Sequence, residues 1–444
     1  MKIFGYIILM FVLILGGYFP PGYAQDHSTT LVFPTKSHAP VRKATRTHLF
    51  FAVGTATTVS DPQGTALAKL TVQDDPETES DDDELTVYGV NAGNNEVIYN
   101  TSLINIEIYR EPPGTPGALN NPRGIAADVQ GNVYVADMGN QRIVHLKNED
   151  GKQLVYYTNY RPESAPNFSP FDVALAQDGT LFVSDSAGSK IWKCSPNTPH
   201  WEVVRDSIAT PLGITTHDGR DRWTRYRTNQ LGIVADGGKK VLITDYQGRK
   251  IATYKAEEKI VRFRYIAVDY YNNYYVTDTA NGQILKINRR GQLTDIIGEQ
   301  GRGDYQFDQP QGIAIWKRFG QVCIAESYAA QYYLIGTDVL RTSLNERNNF
   351  LGITFNLTER ADVTLTVRKD GSPADTFFAD KRIAQGDFTY RWHLPEDLEP
   401  GEYTFTISAV PTYSSTKYFT ARREVRWQYN PSLTEPAEYE EAHE

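Results

Sequence analysis

The chain reads as all-β, and three observations say so. Short apolar–polar alternations recur along it, separated by Gly, Pro, Asn and Asp. Tyr is frequent (28 residues) and Met scarce (3), a balance that favours strands over helices. No long stretch sustains the 3.6-residue apolar period of a helix. At 444 residues the chain is long enough for two or three domains. A net charge of -9 argues against a general nucleic-acid binder, which needs a dominant basic face.

The first segment, 1–24, reads as a signal peptide. Lys2 precedes an apolar run from Ile3 to Leu15, Gly16-Gly17 and Pro20-Pro21 break it, and Gly22-Tyr23-Ala24 offers a cleavage site before Gln25. The run is short for a membrane span and no basic stop follows it. The expected mature protein is therefore exported, secreted or periplasmic, with no integral membrane segment after cleavage. Residues 25–46 read as a flexible leader rich in Thr, His, Pro and Lys. Two strands are expected next, over LFFAV and TALAKLTV, around the turn Asp61-Pro62-Gln63-Gly64. The acidic run from Asp74 to Glu84 lacks the alternating ligands and bend glycine of a calcium loop, so it reads as a solvated connection.

From Leu85 a module repeats, clearest at Asn121–Lys147: strand, tight turn at Asp128–Gly131, strand, acidic corner, strand. Taking the corner acid as register places corners at Asn100, Asp137, Asp185, Asp245, Asp278 and Glu326. Gly124-Ile125-Ala126, Gly232-Ile233-Val234 and Gly312-Ile313-Ala314 open the motif, with Asp172-Val173-Ala174 and Tyr265-Ile266-Ala267 as variants. The recurring acids suit a structural task, since an Asp at a strand end accepts backbone N–H bonds in the next turn. Cys194 and Cys323 fall in nonadjacent modules, too far apart for a bridge, and read as two buried thiols.

This pattern resembles the NHL repeat. The resemblance covers about Leu85 to Gly336 and implies a six-bladed β-propeller; the six corners give the same count independently. The propeller is assigned to 47–340, with the repeats clearest over 85–336. Ring closure is expected from early strands near Phe50 or Ala68.

After Phe350 the pattern changes to GITFNL, DVTLTVRKDG, FTYRWHL and GEYTFTISAV, with turns at Asp370-Gly371 and Pro400-Gly401. The expected inward set is Ile353, Phe355, Val363, Leu365, Val367, Trp392, Tyr403, Phe405 and Ile407. A small sandwich over 350–427 follows. It resembles the Ig-like domain of the flagellar hook-capping family, on the Trp392 strand and the Leu398–Tyr403 turn. No flagellar role carries over, because the rest of that family's chain is absent. Residues 428–444 read as a disordered acidic tail.

Chemistry is harder to read. His145, His200 and His217 lack metal-site spacing, so no catalytic and no metal-binding residues are assigned and no cofactor is predicted. Repeat-level similarity to the peptidyl-hydroxyglycine lyase would imply zinc held by several His. Similarity to propeller lactonases would imply calcium held by Glu, Asn and Asp in the channel. The richest local feature is the insertion His217–Gln230, where Arg220, Arg222, Trp223, Arg225, Tyr226 and Arg227 interleave guanidinium and aromatic groups in an acidic protein. Such groups suit carboxylates, sugars or a partner's anchor residues. The competing reading is a solvated loop whose Arg side chains pair with neighbouring acids. The sequence thus favours an exported bacterial binding or scaffold protein with a protein, peptide or glycan partner. The alternative is a metal-dependent hydrolase or lyase.

Overall fold

The computed structural model describes residues 27–35, 42–74, 85–102, 105–197, 199–257 and 260–430. The expected signal peptide, the acidic run beyond Asp74 and the tail beyond Asn430 lie outside them. No helix among the described residues is long and apolar enough to cross a membrane.

Residues 121–160 show how the sequence makes one sheet. Strands Pro122–Ala127, Asn132–Asp137, Arg142–Lys147 and Val155–Tyr160 pair antiparallel in that order. The first turn closes because Asp128 Oδ1 accepts the N–H groups of Gln130 and Asn132, both at 2.9 Å, while Gly131 takes φ +85°. Val133, Val135 and Val144 are fully buried. The corner acid has the structural task expected of it, in a wider form. Asp137 Oδ1 accepts the Asn120 N–H at 2.7 Å, so it fastens the incoming connection as well as its own corner, where Asn140 and Arg142 donate to Oδ2. Asp185 does the same with Ser169, Asp278 with Arg262 and Glu326 with Asp308.

Two corners sit elsewhere than the repeat register places them. Asn100 ends a third strand, and the side chain that accepts the Ser60 N–H in the first sheet is Asn91. In the fourth sheet the innermost strand is Ile214–His217 and not the Gly232 segment, which is the second strand, Gln230–Ala235. Asp245 therefore ends a third strand and caps the next turn, accepting the Gln247 and Arg249 N–H groups. Gly232-Ile233-Val234 imitates the opening motif because both strand types need small and β-branched residues where sheets pack. The true opening is Gly213-Ile214.

Among the described residues six such sheets succeed one another over 31–335. Their innermost strands are Pro62–Ala68, Pro122–Ala127, Pro170–Leu175, Ile214–His217, Phe263–Val268 and Ile313–Trp316. Each packs against the next, and the last packs against the first, which makes a closed β-propeller. The approach is close enough to require glycine. A Cβ on Gly124 would lie 2.5 Å from Asp172 Cα, and one on Gly312 2.3 Å from the Gln63 carbonyl oxygen. Apolar clusters fill the space between adjacent sheets, and Leu67 and Leu85 meet Ala314 and Cys323 at the closing seam. Cys194 and Cys323 are buried and unbridged.

The closing strands also differ from expectation. Leu31–Val32 and Lys43–Thr45, inside the segment read as a flexible leader, pair along Ala329–Ile335 and complete the sixth sheet. Ala68 belongs to the innermost strand of the first sheet. Phe50 lies in helix α1, Arg46–Val53, where a strand was expected. His48 Nδ1 accepts the Thr45 N–H at 3.1 Å at its start, and Gly54 (φ +63°) ends it with a bond to the Phe50 carbonyl. The helix buries no residue, so no sheet demands the apolar alternation that its Leu and Phe residues suggest.

The C-terminal module has two facing sheets over one core. Val339–Arg347, Phe350–Leu357 and Gly386–His393 form one sheet; Ser372–Ile383, Ala361–Lys369, Gly401–Pro411 and Ala421–Tyr429 form the other. Every expected inward residue is in this core, with Trp392 only half-buried. The first strand starts at Val339, and the last takes in Gln428 and Tyr429 from the expected tail. The module is seated on the propeller. Tyr413 joins the core of the fifth and sixth sheets, Tyr271 Oη lies 2.6 Å from Thr412 Oγ1, and the fully buried Lys286 and Glu359 pair at 2.6 Å.

Candidate functional site: the mouth of the propeller channel

The six innermost strands enclose a channel cavity of about 730 Å3. Its lining runs from Gly64, Asp172 and Tyr265 at the close-packed end to the turns that follow the innermost strands. At the close-packed end, Tyr265 Oη donates to Gln63 Oε1 at 3.1 Å, and the Arg264 guanidinium lies 4.7 Å from the Phe171 ring centre. Asp172 replaces the motif glycine here. Its carboxylate accepts the Ile214 and Val173 N–H groups, both at 2.9 Å, and ties the third sheet to the fourth. Burial pushes its pKa up to about 8, with these N–H bonds opposing the shift.

The corrected register of the fourth sheet explains the open end. Its insertion occupies the place of the tight Asp128–Gly131 turn, between innermost and second strands, so it overhangs the channel mouth. The loop is held from inside. His217 is fully buried, with Nε2 2.9 Å from the Tyr226 carbonyl oxygen and 3.1 Å from Thr224 Oγ1. Burial, aided by the Lys317 charge, lowers its pKa to about 4, so the ring is neutral near pH 7. Asp218 accepts the Gln177 N–H at 3.0 Å from the third sheet.

This frame divides the six arginine and aromatic residues singled out by the sequence. Arg222 and Trp223 line the channel mouth. The Arg222 guanidinium lies 4.4 Å from the Trp223 ring centre, and Arg318 of the sixth sheet lies 4.9 Å from the same ring. Among the described residues neither guanidinium has an acid partner. Lys317, beside them, pairs with Asp221 at 3.2 Å. Arg220 follows the solvated-loop reading instead, bound to Asp218 at 2.7 Å and Asp178 at 2.9 Å. Arg227 braces the loop through the Gly219 and Asp221 carbonyls. Arg225 is exposed, with its backbone N–H on the Tyr270 carbonyl. Tyr226 faces a second cleft, where Arg289 stacks on it at 4.3 Å.

Sequence reasoning missed Arg318, although the signal was present. Arg318 follows Gly312 by six residues as Gln130 follows Gly124, so both fall on the same turn of the module. Among the described residues no group of three or more His, Cys, Asp or Glu side chains is placed to hold a metal ion. His145 is enclosed by Tyr134, Tyr157 and Tyr160, away from the channel, and His200 is exposed beside Glu202. A channel mouth with two guanidiniums on one indole, unpaired among the described residues, can bind an anionic group and cover an apolar one.

Residues 119–146 match the family description "NHL repeat". No curated protein matches the chain. Solved structures with similar folds include virginiamycin B lyase from Staphylococcus aureus, at 17% identity over 56% of this chain and 77% of that one, TM-score 0.42. A gluconolactonase from Xanthomonas campestris aligns at 14% identity over 69% and 98%, TM-score 0.44. A nidogen/laminin complex chain aligns at 16% identity over 54% and 90%, TM-score 0.39. The second sheet of this β-propeller is thus built on an NHL repeat.

Proposed function

We propose that this chain is an exported scaffold, a six-bladed propeller followed by an Ig-like sandwich, whose channel mouth binds an acidic protein, peptide or glycan. The observation that carries the reading is the Trp223 ring approached by two guanidiniums, Arg222 and Arg318, neither of which pairs with a carboxylate among the described residues. Elsewhere in the loop Arg220 is engaged by acids and Arg227 by backbone carbonyls. An indole flanked by unpaired arginines is the composition of an interaction hot spot. The ring count rests on the six innermost strands, and export rests on the apolar segment before Gln25.

The test uses an array of acidic peptides and uronate-bearing oligosaccharides, probed with the wild-type chain and with R222A/R318A. The variant is expected to bind the best probe at least tenfold more weakly, at an unchanged melting temperature. Equal binding removes the mouth from consideration. A metal-dependent hydrolase or lyase using calcium or zinc is the alternative. Metal analysis of the purified protein with a lactone and ester screen separates the two.

A further inference from the structure

A second cleft, of about 240 Å3, lies where the propeller meets the C-terminal module. The propeller contributes Tyr226 from the insertion loop, Tyr271 and Asn273, and the hairpin turn Asn288–Arg290. The module contributes Glu359 and Arg360 from one turn and Ala384 and Gln385 from another. Three arginines therefore border one small space: Arg289, Arg290 and Arg360.

None of the three forms an ion pair among the described residues, in a chain whose net charge is -9. Arg289 is steadied by the Tyr226 ring at 4.3 Å. Arg290 sits in a turn fixed by Asn288, whose Oδ1 accepts the Arg290 N–H at 2.9 Å. Among the described residues the single acid lining the cleft, Glu359, is already satisfied. Lys286 holds its Oε2 at 2.6 Å with Asn273 Nδ2 at 3.2 Å, and its Oε1 accepts the Arg360 N–H at 2.9 Å. Asp269, behind Asn273, adds no full charge near neutrality, because burial and then Glu359 push its pKa up to about 7. The cleft therefore keeps an uncompensated positive charge.

We infer that this cleft binds a small oxyanion, a phosphate, sulfate or carboxylate group, whose arginine contacts bridge the propeller and the C-terminal module. Its volume is below the ~300–1,000 Å3 of ordinary ligand pockets, so it suits a single charged group and not a chain of sugars. Arginine forks match the paired oxygens of all three anions. Because the walls come from both modules, an occupant stabilises their seating as well as itself.

The experiment is differential scanning calorimetry of the full chain in sodium phosphate, sulfate or citrate, each against chloride at matched ionic strength. At an anion concentration about a hundred times Kd, Tm is expected to rise by roughly 3–6 °C. The rise should be lost in R290A/R360A, whose Tm in chloride stays that of the wild type. R290K/R360K, which keeps the charge without the fork, should retain part of it. The channel variant R222A/R318A should respond like the wild type, which separates this site from the channel mouth. The three salts tell phosphate, sulfate and carboxylate apart. No rise beyond chloride with any of them, or an equal rise in R290A/R360A, overturns the inference.

Discussion

The second and fourth sheets of the propeller perform the same structural task with different first turns. In the second, four residues reverse the chain under one aspartate, Asp128, and the turn meets the channel only at its rim, through Asp128, Val129 and Gln130. In the fourth, the same connection runs from Asp218 to Asn229 and carries Arg222 and Trp223 to the mouth. The difference teaches where this fold can afford novelty. Strand pairing is shared by every sheet and the close glycine contact by four of them, at Gly64, Gly124, Gly213 and Gly312, whereas a turn at the rim can lengthen without disturbing its neighbours.

The comparison breaks most severely at the shared part. Gly124→Val places atoms within 2.5 Å of the Asp172 backbone, and it should cost more than about 4 kcal/mol or prevent folding. Denaturant unfolding measures it, and a loss below about 1 kcal/mol would mean the innermost strands are not in close approach. Asp137→Ala comes next. It strands the Asn120 N–H and the Arg142 guanidinium, and should cost about 3 kcal/mol. Asp245→Ala, in the exposed turn of the fourth sheet, should cost less than about 1 kcal/mol. Similar losses for these two aspartates would restore Asp245 to the corner register.

Asp172 sharpens the comparison through pH. Between 3.8, its ordinary value, and about 8, the folded chain keeps a proton that the unfolded chain has released. The contribution of this group to stability therefore falls as pH rises through that window. Asp172→Asn cannot titrate, so its melting temperature should decline less between pH 5 and pH 8 than the wild type's. Parallel curves would show that the carboxyl is not held protonated at the channel's closed end.

How much of this was legible in the sequence follows the range of the interactions. The Asn121–Lys147 copy and the inward residues of the C-terminal module were readable, because alternation and tight turns are local. The register failed in the first and fourth sheets because Asn91 does an acid's work without a charge, and Gly232-Ile233-Val234 copies an opening strand. Helix α1 was read as a strand because its apolar residues face no core. Arg222 and Trp223 stood out by composition. Arg318 did not, since only closure of the ring brings it to the same axis as Arg222, which lies two sheets earlier in the chain.

That convergence can be measured directly by a double-mutant cycle between Arg222 and Arg318, using the tightest acidic probe from the array. The two residues come from different sheets and meet at one indole. The predicted result is a coupling energy of about 0.5–3 kcal/mol, with R222A and R318A each weakening binding and the pair doing so non-additively. Strict additivity, or unchanged binding in both single variants, would contradict a shared site at the channel mouth.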